Sequence, residues 1–265
     1  MQMTRRTLLA ASVASAALSL AGCGKESSED ALDRILKAGE ITIATEGTWA
    51  PWTYHDDAGV LTGFDIEVGS LIAAYIGVQP KFIEGKWDGL LAGVSSGRFD
   101  IMINGVDLTD ERQKAYRFSE PYAFNRTVVI TRENDTRVQH LEDLKDLITA
   151  NTISSTYAEI AEKYGAKVTG VDDLNQTIEL LLSERIDATL NGEVVFADYK
   201  RVHPEAGIRV AAVANEVIGV AIPMKNTPDT VRLKQRIDEA IEAIRKDGNL
   251  KKLSEKYFNV DITHK

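Results

Sequence analysis

The sequence predicts an α/β protein of two lobes joined by two crossover strands. From Glu40 onward, short apolar runs typical of strands alternate with segments whose apolar residues recur at helical spacing, which is the pattern of βαβ units with a largely parallel sheet. The alternation pauses at an extended segment, residues 126–131, resumes near Thr149, and ends at a second extended segment, residues 217–222. Two such segments flanking one α/β unit indicate two connections between lobes.

Each lobe has its own set of predicted elements. The strands are predicted at residues 41–44, 81–83 and 100–104 of lobe 1 and at residues 149–154, 167–171 and 187–190 of lobe 2. The helices are predicted at residues 65–76, 87–94, after Thr109, 230–245 and 250–257 of lobe 1 and at residues 156–164, 174–182 and 193–201 of lobe 2. Lobe 1 then comprises residues 37–125 and 223–260, and lobe 2 comprises residues 126–222, including both crossover strands. Ligands in open α/β sheets bind beyond the carboxyl ends of strands, so the loops at these ends are expected to face an interlobe cleft.

The N-terminus resembles an export signal. Arg5 and Arg6 precede an uncharged run of small and apolar residues that is too short for a comfortable membrane-spanning helix. Leu20-Ala21-Gly22-Cys23 resembles a bacterial lipobox. Residues 1–22 are therefore predicted to be a lipoprotein signal peptide, with Cys23 as the lipidated residue that anchors the protein to the membrane. The alternative is a stray cysteine after an ordinary signal, and the Sec and twin-arginine export routes both remain open.

Residues 23–36 are predicted to form a flexible tether, because the segment after Cys23 is polar and acidic. Cys23 is the only cysteine, so the mature chain is expected to have no disulfide and no thiolate metal site.

Charge and motifs exclude several functions. The net charge is -9, whereas a nucleic-acid-binding protein needs a clustered basic face. The chain has no phosphate-binding loop, no dinucleotide-binding glycine motif, no nucleophile elbow and no zinc-protease helix. The four histidines lack the spacing of metal ligands. We therefore expect no cofactor, no metal site and no enzymatic activity.

Two tryptophans and an acid occupy the loops after the first two strands of lobe 1. Glu46 and Trp49 follow the first of these strands, and Trp87 follows the second. Two indole rings at strand ends can clamp an apolar part of a ligand. The alternative is that each covers the core of its own lobe, which is the role predicted for Trp52.

The loop after the third strand contains Asn104, Gly105 and Asp107 and leads into a short helix that contains Arg112. A cation in the first turn of a helix opposes the helix dipole. One explanation is that Arg112 extends into the cleft and grips a carboxylate with its planar guanidinium. The other is a surface ion pair with Asp110 or Glu111.

Lobe 2 offers polar groups at two strand ends. Ser155 and Thr156 open a helix and present hydroxyl and N–H groups that suit an anion, although they also suit simple helix capping. Glu193 follows another strand and provides a carboxylate for a ligand ammonium.

Several motifs, taken in order, resemble one family. They are Gly63-Phe64-Asp65-Ile66-Glu67-Val68, Gly97-Arg98-Phe99-Asp100, Leu108-Thr109-Asp110-Glu111-Arg112, Phe118-Ser119-Glu120-Pro121-Tyr122 and Asp247-Gly248-Asn249-Leu250. Between about Glu40 and Val260 the chain resembles the bacterial extracellular solute-binding proteins of family 3, the amino-acid receptors of ABC importers. The resemblance implies a type II periplasmic-binding-protein fold whose lobes close around the ligand.

The resemblance also implies roles for individual residues. Arg112 would bind the α-carboxylate of an amino acid, helped by the backbone near Gly105 and Asp107 and by Ser155 or Thr156. Trp49 and Trp87 stand at the family's aromatic positions, and Glu46 stands where a member reads the distal end of its ligand. The sequence departs from the family at Gly192, where many members have the aspartate that holds the α-ammonium. Asp107 stands where they have serine or threonine, so Asp107 is expected to hold the ammonium, with Glu193 as the alternative.

The implied function is an extracytoplasmic, lipid-anchored, monomeric receptor that delivers a polar amino acid to the permease of an ABC importer. The segments around Trp87 and Asn104 look most like the cystine/cysteine-type branch, so cystine or cysteine is the first expectation, followed by glutamine or a basic amino acid. Glutamate and aspartate are disfavoured, because Glu46 and Asp107 would repel a side-chain carboxylate. An alternative on the same fold is a cyclohexadienyl dehydratase, for which Glu46, Asp107 or Glu193 would supply the general acid.

Overall fold

Lobe 1 is built on a sheet of mixed direction. The computed structural model describes residues 29–265. The strands of the lobe are β1 (Glu40–Thr45), β2 (Thr48–Trp49), β3 (Thr53–His55), β4 (Leu61–Thr62), β5 (Gln79–Glu84), β6 (Ile101–Met102) and β7 (Tyr116–Phe118). Its helices up to this point are α1 (Ala31–Ala38), α2 (Phe64–Ile76), α3 (Trp87–Ser96) and α4 (Asp110–Ala115). Strand β1 pairs in parallel with β5 and β6, while β2, β3 and β4 form a small separate sheet that the sequence did not predict.

Lobe 2 repeats the same construction. Its elements are β8 (Ala123–Arg132), β9 (Ile148–Asn151), α5 (Thr156–Lys163), β10 (Lys167–Gly170), α6 (Leu174–Leu182), β11 (Ala188–Gly192), α7 (Glu193–Val202) and β12 (Ile208–Val220). The strand order is β10-β9-β11-β8-β12, with β9 parallel to both of its neighbours and β8 antiparallel to both of its neighbours.

After lobe 2 the chain returns to lobe 1. It forms β13 (Pro223–Lys225), α8 (Val231–Lys246) and α9 (Asn249–Phe258). Strand β13 inserts between β6 and β7, which gives the sheet order β5-β1-β6-β13-β7. Successive side chains of a strand point to opposite faces: Ile43 packs in one apolar cluster and Ala44 in another. Both faces of the sheet are therefore covered, as the βαβ pattern predicts.

The crossovers are the two long antiparallel strands β8 and β12. They pair from Ala123 opposite Val220 through to Arg132 opposite Ile208. The predicted crossover at residues 217–222 is thus only the end of a strand that begins at Ile208. The register of β12 shifts twice between Val210 and Val217, and these irregularities break the alternation by which a strand is recognised.

The predicted tether is too long at its C-terminal end. Helix α1 covers residues 31–36 of it, because the Asp30 side chain caps the helix by accepting from the amides of Leu32 (3.0 Å) and Asp33 (3.4 Å). Leu32 and Ile35 are buried in the core of lobe 1. The predicted signal peptide, Cys23 and the start of the tether lie outside the described residues. Within residues 29–265 no helix has both the length and the apolar character needed to cross a bilayer.

Candidate ligand-binding site

A cavity lies between the two lobes, where the carboxyl ends of strands from both sheets meet. It holds about 650 Å³ of space not occupied by atoms, part of which is open solvent. Most of the predicted site residues line it, namely Glu46, Trp49, Trp87, Gly105, Asp107, Arg112, Ser155 and Thr156. Asn104 and Glu193 do not line it.

Arg112 reaches the cavity from the start of α4. Its amide donates to the Thr109 hydroxyl (3.2 Å), which caps the helix. Its guanidinium donates to the carbonyl oxygens of Asp107 (3.1 Å) and of Ser154 in lobe 2 (3.1 Å). Arginine has five N–H donors, so donors remain for a bound carboxylate.

The alternative of a surface ion pair for Arg112 is wrong. Glu111 instead pairs with Lys114 on the outside of the helix. Arg112 is only 7% exposed, and its guanidinium lies 5.2 Å from the ring centroid of Trp87, a cation–π distance. The packing against Trp87 and the two carbonyl contacts fix the direction in which the guanidinium points.

Trp49 forms a wall of the cavity and depends on Gly105 for its position. Its ring stacks on the buried ring of Trp52, with centroids 5.7 Å apart and planes 12° apart. A Cβ atom on Gly105 would lie 2.4 Å from the Trp49 ring, and Gly105 has φ +54°, so glycine is required for both the space and the backbone conformation. The prediction that Trp52 belongs to the core is confirmed.

Glu46 is held by Asn104. The Asn104 side chain donates to Oε2 of Glu46 (2.6 Å) and accepts from the Glu46 amide (2.7 Å). Asn104 is fully buried and acts behind the site, so its predicted contact with the ligand is not supported. Burial raises the pKa of Glu46 to about 7, and the Asp173 and Asp88 carboxylates add to the rise.

Asp107 is a buried carboxylate in the cavity wall. It is 4% exposed, and its Oδ1 atom has no hydrogen-bond partner among the described residues. Burial raises the pKa of Asp107 to about 6, although the nearby Arg112 guanidinium and the Thr156 and Asn125 side chains oppose the rise. A buried carboxylate with an open acceptor is suited to an ammonium group.

At Gly192, the position that departs from the family, a side chain would require the Asn125 side chain to shift. A Cβ atom there would lie 2.7 Å from Oδ1 of Asn125 and 3.2 Å from the hydroxyl of Tyr157. Glu193 does not replace the missing acid, because its carboxylate accepts two hydrogen bonds from Arg126 (2.8 and 3.0 Å) outside the cavity. The alternative role of Glu193 at the ammonium is therefore not supported.

Ser155 and Thr156 line the lobe 2 side of the cavity. The Ser155 hydroxyl caps α5 by accepting from the Ala158 amide (3.2 Å). The Thr156 hydroxyl is buried and makes no hydrogen bond of good geometry among the described residues, but it lies close enough to the Asp107 carboxylate to lower the pKa of that group.

Sequence reasoning missed the acids that follow β10. Asp172 and Asp173 line the cavity, together with Asn151, Thr152, Tyr157, Leu174, Thr177, Asn191 and Thr48. Asp173 also caps α6 by accepting from the Gln176 amide (2.9 Å). The predicted strand β10 could have located these acids, because β9 is parallel to both β10 and β11 and the carboxyl ends of the three strands lie at one edge of the sheet.

Three contacts join the lobes at the cavity. The Arg112 guanidinium contacts the Ser154 carbonyl, the Ser154 hydroxyl contacts the Asp88 carboxylate, and the Lys86 ammonium lies 2.6 Å from a carboxylate oxygen of Asp172. In each case the first lobe supplies a charged side chain. These polar contacts lie beside the cavity.

Comparisons with known proteins identify the family. Residues 41–260 match the model of the bacterial extracellular solute-binding proteins, family 3. The L-cystine-binding protein TcyA of Bacillus subtilis is 32% identical over 98% of this chain and 99% of its own length.

Two solved structures are similar to this one. The L-cystine solute receptor of Neisseria gonorrhoeae, in an unliganded open conformation, is 37% identical with a TM-score of 0.60, covering 89% of this chain and 99% of its own. An ancestral arginine-binding protein bound to arginine is 29% identical with a TM-score of 0.77, covering 83% of this chain and 98% of its own. The predicted type II periplasmic-binding-protein fold is confirmed, and this chain belongs to the bacterial extracellular solute-binding proteins of family 3.

Proposed function

We propose that this protein is the substrate-binding protein of an amino-acid ABC importer and that it carries a polar amino acid in the interlobe cavity. Every α-amino acid presents a carboxylate and an ammonium on one carbon, so its receptor needs a cation and an anion close together. Arg112 and Asp107 meet this need, since both are buried in the same wall of the cavity. This juxtaposition is the observation that carries the proposal.

The geometry supports one orientation of the ligand. The α-carboxylate faces the Arg112 guanidinium and the Thr156 hydroxyl, and the α-ammonium faces the Asp107 carboxylate. The side chain of the ligand then extends between Trp49 and Trp87. Aromatic faces accept the apolar part of such a side chain.

The distal end of the ligand meets further negative charge. Glu46 and Asp173 both line the cavity, and the Asp173 carboxylate contributes to the raised pKa of Glu46. A second ammonium or a guanidinium would relieve this accumulation of charge, whereas a carboxylate would increase it. L-Cystine is the first candidate, as in the cystine-binding relatives, followed by basic amino acids and glutamine.

Delivery to the permease by lobe closure is part of the proposal. The polar contacts of Arg112 with Ser154 and of Lys86 with Asp172 join the lobes. The TM-score is higher against an arginine-bound protein than against an open receptor of greater identity, which supports a closed arrangement here. An open arrangement would break these contacts and release the ligand.

We also propose that Cys23 anchors the mature protein to the outer face of a membrane. Two acyl chains give stable membrane binding where one is marginal, and tethering raises the concentration of a receptor near its transporter. Cys23→Ser in the full chain is expected to leave the protein in the soluble extracytoplasmic fraction. Wild-type protein that is equally soluble after export would contradict the anchor.

The dehydratase alternative receives less support. Prephenate carries two carboxylates, whereas the lining residues of the described chain include one cationic side chain, Arg112, and four acids, Glu46, Asp107, Asp172 and Asp173. Incubation with prephenate separates the two functions. Formation of phenylpyruvate would favour the enzyme over the receptor.

Calorimetric titration with L-cystine, L-arginine, L-lysine, L-glutamine and L-glutamate tests the proposal. At 100 times the dissociation constant the preferred ligand should stabilise the protein by about 2.7 kcal/mol. Arg112→Ala is expected to weaken binding about 100-fold, because truncation removes the partner of a buried charge. The control is Arg126→Ala, which removes an arginine outside the cavity and should change affinity less than about threefold. Failure of every amino acid to bind would overturn the proposal.

A further inference from the structure

The segment Gly63-Phe64-Asp65 opens α2 and lies outside the cavity lining, yet it contacts the site and the crossover strands. The binding loop, defined here as residues 105–108, contains Gly105 and Asp107. It comes more than thirty residues later in the chain. The segment Gly63-Phe64-Asp65 contacts the binding loop but not the proposed ligand, so these contacts indicate a separate structural role for it.

Asp65 joins the binding loop to the crossover region through one carboxylate. Its Oδ2 atom accepts from the Gly105 amide (2.6 Å), and its Oδ1 atom accepts from the Tyr122 hydroxyl (2.8 Å). Tyr122 immediately precedes β8, and Asp65 and Tyr122 are both fully buried. A buried carboxylate is costly unless hydrogen bonds satisfy it, so the positions of its two donors are tightly linked.

The other end of the binding loop is bonded to the second crossover. The Leu108 amide donates to the Gly219 carbonyl (2.8 Å), and the Ala221 amide donates to the Val106 carbonyl (3.0 Å). The Tyr122 amide donates to the Val220 carbonyl (2.9 Å) in the same stretch. Both crossovers and the binding loop thus form one hydrogen-bonded unit, in which Asp65 is the side-chain link.

A row of aromatic rings runs beside this link. The rings of Trp49, Trp52, Phe64 and Tyr122 follow one another at centroid distances of 5.7, 5.6 and 6.0 Å. A Cβ atom on Gly63 would lie 2.3 Å from the Trp52 carbonyl oxygen, so glycine permits the close approach that starts α2. The row leads from the cavity wall to the crossover.

We propose that Asp65 is a positioning residue, which sets the binding loop and the crossover strands relative to each other and so couples ligand contact at Asp107 to the arrangement of the lobes. The role rests on the proposed function, because it presupposes a ligand that contacts this loop. Asp65 itself touches no ligand. It acts through the Gly105 amide on one side and the Tyr122 hydroxyl on the other.

Tyr122→Phe is the cleanest variant, because it removes only the hydroxyl that donates to Asp65. Tyr257→Phe is the matched control: the Tyr257 hydroxyl also donates to a carboxylate of α2, that of Glu67, but contacts neither the loop nor the crossover. With L-cystine as the probe, and L-arginine if cystine does not bind, Tyr122→Phe should weaken binding about tenfold, in the range of coupling between sites. Tyr257→Phe should change affinity less than about twofold.

A measurement without ligand separates this proposal from the proposed function. Amide hydrogen exchange at Gly105 and Leu108 should be about tenfold faster in Tyr122→Phe and in Asp65→Asn than in wild type, because the hydrogen bonds of Asp65 that hold the loop are lost or weakened. Exchange should be unchanged in Tyr257→Phe. If wild type binds no amino acid, the proposed function fails while exchange still decides the role of Asp65. Unchanged exchange at Gly105 in both test variants, or an equal loss of affinity in Tyr122→Phe and Tyr257→Phe, would overturn the proposal.

Discussion

The ammonium of Lys86 lies 2.6 Å from a carboxylate oxygen of Asp172, and this pair joins lobe 1 to lobe 2 beside the cavity. Lys86 precedes Trp87 at the start of α3, and Asp172 lies in the loop after β10. The pair therefore connects the loops that supply one aromatic wall and the acidic end of the site. It exists only when the lobes are close together.

Loss of the ion pair between Lys86 and Asp172 is expected to speed ligand release. The side chains are 79% and 66% exposed, so the attraction is weak and screened by salt, and Lys86→Glu should speed dissociation about two- to fivefold at low salt. The double variant Lys86→Glu/Asp172→Lys should restore the rate. Stopped-flow measurement of ligand release checks this, and an effect that persists at 1 M salt would contradict an electrostatic contact.

Asp107 is expected to hold the α-ammonium of the ligand. Asp107→Ala should weaken amino-acid binding about 30-fold or more, because the ligand ammonium would be buried without a partner. Asp110→Asn removes a nearby exposed carboxylate and serves as the control. Calorimetry that finds the affinity of Asp107→Ala within a few-fold of wild type would show that another group binds the ammonium.

Glu46 is expected to make binding of a cationic ligand depend on pH. Burial raises its pKa to about 7 in the ligand-free site, so below that pH a ligand with a distal cation must displace a proton from the carboxyl group. Affinity for L-arginine should therefore rise as the pH increases from about 5.5 to about 8. Glu46→Gln should remove most of this dependence, leaving the part due to Asp107. Equal slopes in the two proteins would contradict the role of Glu46.

The raised pKa of Glu46 also makes the free energy of unfolding of the ligand-free protein depend on pH. The pKa of Glu46 is raised from 4.5 in its unperturbed state to about 7 in the fold, so between these pH values the folded state binds more protons than the unfolded state. The ligand-free protein should then lose stability as the pH rises through this window. Denaturant unfolding at several pH values, with Glu46→Gln as the comparison, measures the contribution of this group. A contribution that increases with pH would contradict the raised pKa.

Gly105→Ala is expected to disturb the wall formed by Trp49. The new Cβ atom would lie 2.4 Å from the ring, at a backbone φ of +54°, so the ring must move and the backbone is strained. Gly39→Ala is a matched control, since Gly39 has φ +69° with nothing within 4 Å of the added atom. Both variants should lose about 1 kcal/mol or more of stability through strain. A large loss of affinity is expected in Gly105→Ala alone, as measured by calorimetry.

Much of the fold was predictable because it follows from local patterns. Alternating strands and helices located both lobes, and the polar loops at strand ends located most of the cavity. Arg112 was recognisable because a cation in the first turn of a helix needs a tertiary explanation. Helix α1 was missed because its first turn follows a polar, acidic stretch, and only its cap at Asp30 and its burial at Leu32 and Ile35 distinguish it from that stretch.

The sequence by itself determined the α/β class, the two lobes, the family and the guanidinium–carboxylate chemistry of the cavity, because these depend on the periodicity and spacing of residues along the chain. Only the tertiary structure decided where the polar side chains lie relative to the cavity. A side chain at Gly192 would displace the Asn125 side chain, Arg126 binds the Glu193 carboxylate outside the cavity, and Asn104 holds Glu46. These outcomes depend on distances between residues far apart in the chain, which a linear pattern does not contain.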